Sequence, residues 1–198
     1  MMKLLKHNGM LLLVMIGILS LGFIGQKAPF ARFWAGFSHI RWNEGRLLSY
    51  LPEAHRWKYI VIHHSATERG NAKIFDRGHR LRGFQQGLGY HFVIDNGTYG
   101  TRVGQIESGD RWYRQMEGAH CNRMGMNEEG IGICLVGNFS KGQVDPAQLE
   151  SAAWLVENLQ KRYGIPTSHV LRHNDVKKKE TECPGKDFPW EAFLTMLP

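Results

Sequence analysis

The sequence has no internal repeat, no low-complexity segment and no aromatic-basic pattern of a known nucleic-acid module. These absences set aside repeat arrays and argue against a nucleic-acid partner. Cysteine is scarce, with 3 in 198 residues, and none stands in the N-terminal region to accept a lipid. Acid is short relative to base: 18 Asp and Glu against 25 Lys and Arg give a formal charge of +7. Such an excess suits nucleic acid, an anionic membrane surface or an acidic polymer, and charge alone does not choose among them. What is present points to a folded globule. The hydrophobic fraction is 42% and there are 6 tryptophans, more than a disordered chain carries. The length suits one domain with a proper core plus an appendage.

The appendage comes first. Lys3 and Lys6 precede Met10 to Gly25, "MLLLVMIGILSLGFIG", which has no charged residue. A positive start followed by such a run reads as an export signal. It is shorter than the ~20 residues of a typical membrane span, but its flanks bring it within reach of one. No small-x-small cleavage site follows cleanly, so an uncleaved anchor is favoured over a removed signal peptide in residues 1–25. The lysines then stay in the cytoplasm, and the domain is expected outside the inner membrane, on the periplasmic side. Residues 26–54, with "FARFWAGF" and "RWNEGRLLSYL", read as a tether with membrane-surface character or as an extension packed on the domain.

Residues 55–198 read as an α/β domain. "KYIVI" is a short strand rich in β-branched residues. "NAKIFDRGHRLRG" has Ile74, Phe75, Gly78, Leu81 and Arg82 at helical spacing, so it reads as a helix with one exposed basic face. "GYHFVIDNGTYGTRV" reads as two strands turning at Asn96-Gly97. "GIGICLVGNF" is apolar on both faces and therefore expected at the centre of the sheet. "DPAQLESAAWLVENLQKRYG" is the clearest helix. Asp145 caps it, Pro146 suits its first turn, Gln148 can complete a capping box and Gly164 ends it. Its expected buried stripe is Leu149, Ala152, Val156, Leu159 and Tyr163. "HVLRH" supplies a fifth strand and "FPWEAFLTML" a closing helix. The expected fold is a central mixed β-sheet flanked by helices.

The first strand runs into His63 and His64, whose side chains must leave on opposite faces, so both cannot serve one site. His173 ends a second strand, and Cys183 follows in a loop held by Pro184 and Gly185. Two histidines at strand ends and a loop thiol make a zinc-type ligand set, with a fourth position left for water or substrate. Taken singly, each is equally well read as an ordinary polar strand end or a loop cysteine.

Six stretches, "VIHHSAT", "GYHFVI", "GAH", "GIGICLVGNF", "RHNDV" and "TECPG", occur in the order seen in zinc-dependent N-acetylmuramoyl-L-alanine amidases. That group includes the peptidoglycan recognition proteins and the amidase-type phage lysozymes. The resemblance spans roughly His55 to Trp190. It implies that His63, His173 and Cys183 bind one zinc, and that His64, in a variable position, packs or lines the substrate rim. Tyr90 resembles a residue that assists catalysis by bonding to the developing oxyanion, and His120 one that lines the substrate groove. His91 is expected to face away from Tyr90. Thr181 stands where amidase-type phage lysozymes carry a lysine, so a cationic oxyanion stabiliser is in doubt there, although a hydroxyl can still donate one hydrogen bond. The implied partner is peptidoglycan or its muropeptide fragments, met by a monomer. Glu128, Glu129 and Glu182 are candidate general bases that read equally as solvated side chains. Cys134 is expected as a core residue and a Cys121–Cys134 disulfide is not expected. The run Lys177 to Lys179 reads either as a solvated turn or as attraction to anionic cell-wall polymer.

Overall fold

A computed structural model describes residues 57–123, 125–177 and 181–198. The uncharged run Met10 to Gly25, the 26–54 segment, Lys178 and Lys179 lie outside the described residues. Among the described residues no helix is long and apolar enough to cross a membrane.

Five strands form: β1 (Tyr59–His64), β2 (Phe92–Asn96), β3 (Val103–Ser108), β4 (Gly130–Leu135) and β5 (Val170–Arg172). The helices are α1 (Ala72–Leu81), α2 (Asp110–Tyr113), α3 (Pro146–Tyr163), α4 (His173–Lys177) and α5 (Trp190–Leu194). The sheet order is β3-β2-β4-β1-β5. β1 runs parallel to β4 and β5, β2 runs parallel to β4, and only β2 with β3 is antiparallel. The expected mixed sheet is therefore present. The all-buried β4 lies at its centre, because a strand apolar on both faces is stable only when both are covered.

Alternation along the strands divides the two faces. Ile60 and Ile62, Phe92 and Ile94, and Ile131, Ile133 and Leu135 pack with Ala152, Leu155, Val156 and Leu159 of α3 in the main core. The other face carries two smaller apolar groups, Val61 with Cys121 and Val176, and Val93 with Leu88 and Val136. The register pairs His63 with Cys134, and Cys134 with Val93. The polar chemistry of the domain therefore shares the face turned away from α3.

Asp145 caps α3 by accepting from the Ala147 N–H, and Gly164 closes it in the left-handed region at φ 65°. Gln148 completes no capping box. It is buried, and its Nε2 donates to the carbonyls of Ile94 and Val136, which tie the ends of β2 and β4 to the helix. In α1 the basic residues Lys73, Arg77 and Arg80 are exposed, as expected, but the apolar positions are poorly covered. Ile74 is 40% exposed and Leu81 81% exposed, and the buried residue is His79, whose Nδ1 accepts from the Gly89 N–H. The hairpin turn is displaced too. Tyr99 and Gly100 take the paired positive φ values, 54° and 80°, with Thr101 N–H donating to the Thr98 carbonyl. Asn96 instead spends its side chain on Glu68 and Thr98, as Asx residues commonly do near turns.

Candidate metal centre

β1 ends with its two histidines divided between the faces. His63 is 1% exposed and points to the face opposite α3. There the nitrogen and sulfur ligand atoms of His63, His173 and Cys183 all lie within 4.8 Å of one another. The Cys183 Sγ is 3.7 Å from His63 Nδ1, and the His63 and His173 rings are 4.4 Å apart. His173 does not end β5 as a strand residue. It opens α4 directly after the strand, and this turn brings its ring beside that of His63. Cys183 comes from the loop after α4, where the Asn174 N–H donates to the Cys183 carbonyl. The Gly185 N–H donates in turn to the Glu182 carbonyl.

These residues fit zinc. The donor set is two imidazoles and a thiol, and no carboxylate belongs to it. Tetrahedral zinc with ordinary bond lengths separates a sulfur from a nitrogen ligand by about 3.6 Å, close to the observed spacing. Burial, followed by His120, His173 and His64, holds His63 well below the usual imidazole range, so it is neutral as a ligand must be. Burial pushes the Cys183 thiol up to about 12, Cys121 adds to this, and a hydrogen bond from the His64 N–H opposes it. Zinc binding would displace the thiol proton.

His64 lies on the α3 side. Its Nδ1 accepts from the Phe139 N–H and its ring packs 5.9 Å from Phe139, so it packs inward and does not line a rim. Its contribution to the cluster is the main-chain bond to Cys183. His120 also departs from the groove-lining expectation. It is buried, with Nδ1 3.1 Å from His63 Nε2 and Nε2 3.1 Å from the Gly130 carbonyl. His91 is a buried brace that accepts from the Gly132 N–H at Nδ1 and approaches the Met116 carbonyl at Nε2.

Tyr90 precedes β2, which adjoins β4 and not β1. The ring nevertheless reaches across β4 to lie 5.2 Å from that of His63. Burial first, with the Cys134 and Cys183 thiols nearby, keeps its hydroxyl well above the ordinary phenol range, hence protonated and able to donate. Cys134 is fully buried, as expected of a core residue. Thr181 Oγ1 accepts from the Cys183 N–H, so its oxygen braces the ligand loop while its proton remains available. None of the three cysteines forms a disulfide, and all are buried. Of the three glutamates, Glu129 is paired with Lys58 and Glu128 is exposed. Burial holds His64 below the usual imidazole range, and the nearby Glu182 carboxylate opposes this.

Comparison with known proteins identifies the family. A family model described as N-acetylmuramoyl-L-alanine amidase matches residues 53–186. The endolysin of Enterobacteria phage T3 is 33% identical over 143 residues, covering 67% of this chain and 84% of that protein. Peptidoglycan-recognition protein SC2 of Drosophila melanogaster is 26% identical over 167 residues, covering 80% of this chain and 84% of that protein. Among solved structures, the endolysin N-acetylmuramoyl-L-alanine amidase LysCS from Clostridium intestinale URNW superposes with a TM-score of 0.60 at 32% identity. That match covers 74% of this chain and 88% of the other. The mixed sheet with its flanking helices is thus the fold shared by amidases and peptidoglycan recognition proteins. The chain belongs to the N-acetylmuramoyl-L-alanine amidase family.

Proposed function

We propose that the chain is a zinc-dependent hydrolase of peptidoglycan that cleaves the amide between the lactyl group of N-acetylmuramic acid and L-alanine. The observation that carries this reading is the convergence of His63, His173 and Cys183, two of them buried, in a chain of the amidase family. A bound zinc would supply Lewis acidity toward the amide carbonyl and toward water. The protein's own groups do the rest. Tyr90, held protonated, donates to the oxygen that gains charge as the carbonyl becomes tetrahedral. Thr181 braces the Cys183 loop and can offer its hydroxyl proton to the same oxygen. The leaving amine of L-alanine takes up a proton as it departs.

The recognition-protein relatives support a second reading, a module that binds peptidoglycan without cutting it. Cys183 favours the enzyme, because recognition modules of this fold typically lack the ligand cysteine. The uncharged run behind Lys3 and Lys6 supports a location in the cell envelope, with the chain anchored in the inner membrane. The function is tested by dye release from labelled peptidoglycan incubated with the full-length chain. Chelator should stop release and added zinc should restore it. Release unaffected by chelation would remove zinc from the reaction, and no release at any zinc level would favour the binding module.

A further inference from the structure

We propose that His120 is a positioning residue, which fixes the tautomer of His63 and so aims the His63 Nδ1 lone pair at the metal position. The proposal rests on the zinc reading given above. Its starting point is a main-chain carbonyl. A carbonyl oxygen only accepts, so the His120 Nε2 that lies 3.1 Å from the Gly130 oxygen carries a hydrogen. In a neutral imidazole the other nitrogen is then an acceptor. That nitrogen, Nδ1, faces His63 Nε2 at 3.1 Å, so His63 must donate from Nε2. Its Nδ1 is left bare, 3.7 Å from the Cys183 sulfur. A chain of two hydrogen bonds thus runs from a strand backbone to the ligand atom. A doubly protonated His120 would reverse the direction, but the ring is buried and neither of its bonds goes to a carboxylate, so a cation there would be left without a counter-charge.

The surroundings hold this ring in one place. A Cβ on Gly132 would lie 2.4 Å from the His120 Cδ2, and a Cβ on Gly118 would lie 2.3 Å from the same atom. Both glycines therefore leave the space that the ring fills. The loop is clamped below it, since Asn127 Oδ1 accepts from the N–H groups of His120 and Cys121 and Asn127 Nδ2 donates to the Cys121 carbonyl. This explains "GAH" and the second glycine of "GIGI" together, as one cradle around one imidazole. Ligand histidines generally have their second nitrogen held in this way, and loss of the holder typically costs about 10–100-fold in metal affinity.

The test uses the full-length chain in three forms: parent, His120→Leu and His120→Asn. Leucine fills the cradle without an acceptor. Asparagine fills it less well but places an oxygen near the position of the lost Nδ1. Long-range proton–nitrogen correlation on the metal-free parent should show His63 protonated at Nε2. Zinc affinity, read by chelator competition, should fall about 10–100-fold in His120→Leu and recover in large part in His120→Asn, with metal-free melting temperatures reporting folding. His63 protonated at Nδ1 in the parent would overturn the proposal. So would His120→Leu binding zinc as tightly as the parent, or better than His120→Asn. A parent that binds a second zinc, absent from His120→Leu, would also overturn it, by showing that His63, His120 and Cys121 form a metal site of their own. A parent with the Nε2 tautomer that takes up no zinc would instead overturn the zinc reading, and with it the purpose of the bond.

Discussion

Adjacent side chains in this protein do different work because strand geometry sends them to opposite faces. His63 meets the cysteine and the second histidine, while His64 accepts from Phe139 in the core side of the sheet. Tyr90 shows how reach adds to position: from outside β2 its ring comes to 5.2 Å from His63. If its hydroxyl serves the developing oxyanion, Tyr90→Phe should retain zinc and melting temperature and lose about 10²–10³ in turnover. Dye-release rates and metal analysis on the same preparation check this, and turnover equal to the parent would return Tyr90 to a packing role. Asp95 is a second residue with a measurable signature. It is fully buried on β2 and neither of its oxygens makes a well-formed hydrogen bond. Burial first, then the neighbouring Glu107 carboxylate, raises it to about 8. Its folded pKa is above its unfolded value, so the folded state holds a proton that the unfolded state releases. Stability should therefore fall as pH rises from about 4 to about 8. Asp95→Asn cannot ionise, and should gain on the parent across that window. Melting temperatures at both ends of the window decide this, and parallel curves for the two proteins would contradict it.

At the scale of elements, β4 serves both faces of the sheet. Ile131, Ile133 and Leu135 enter the main core, while Gly132 and Cys134 form the floor under His120 and Tyr90. Gly132→Ala places a methyl group against the His120 ring. Overpacking of this kind should lower stability by about 1–3 kcal/mol. Displacement of the ring should weaken zinc by about tenfold or more. Denaturant unfolding and chelator competition measure the two effects separately, and a stability loss with unchanged zinc affinity would confine Gly132 to packing. The elements also show which patterns the sequence made legible. The end of α3 was readable because Asp145, Pro146 and Gly164 act locally, within a turn of where they stand. The central place of β4 was readable because unbroken apolarity has few other uses. The role of Gln148 and the exposure of Ile74 and Leu81 were not legible, for the opposite reason. Whether a glutamine bonds its own helix end or two distant carbonyls, and which side of a basic helix lies down, depends on packing from elsewhere in the chain.

For the whole molecule, the candidate ligands were legible because a histidine, a second histidine and a cysteine stand in motifs whose order is itself informative. Their supports were not. His120 lies 57 positions from His63, and only the folded sheet shows that the two rings share a hydrogen bond. The Asp95–Glu107 proximity likewise depends on the antiparallel pairing of β2 with β3. The N-terminal run makes a prediction for the intact chain. Without a clean cleavage site behind it, the protein should remain with the membrane on fractionation. A soluble form with a new N-terminus near Lys27 would contradict the anchor. The reaction itself is tested most directly at the product. Purified peptidoglycan is digested with the full-length chain and zinc, and the new ends are identified by mass spectrometry. The account predicts free L-alanine amino termini on released stem peptides, with glycan strands unshortened. New reducing sugar ends, or binding to the wall with no new ends at any zinc level, would contradict it.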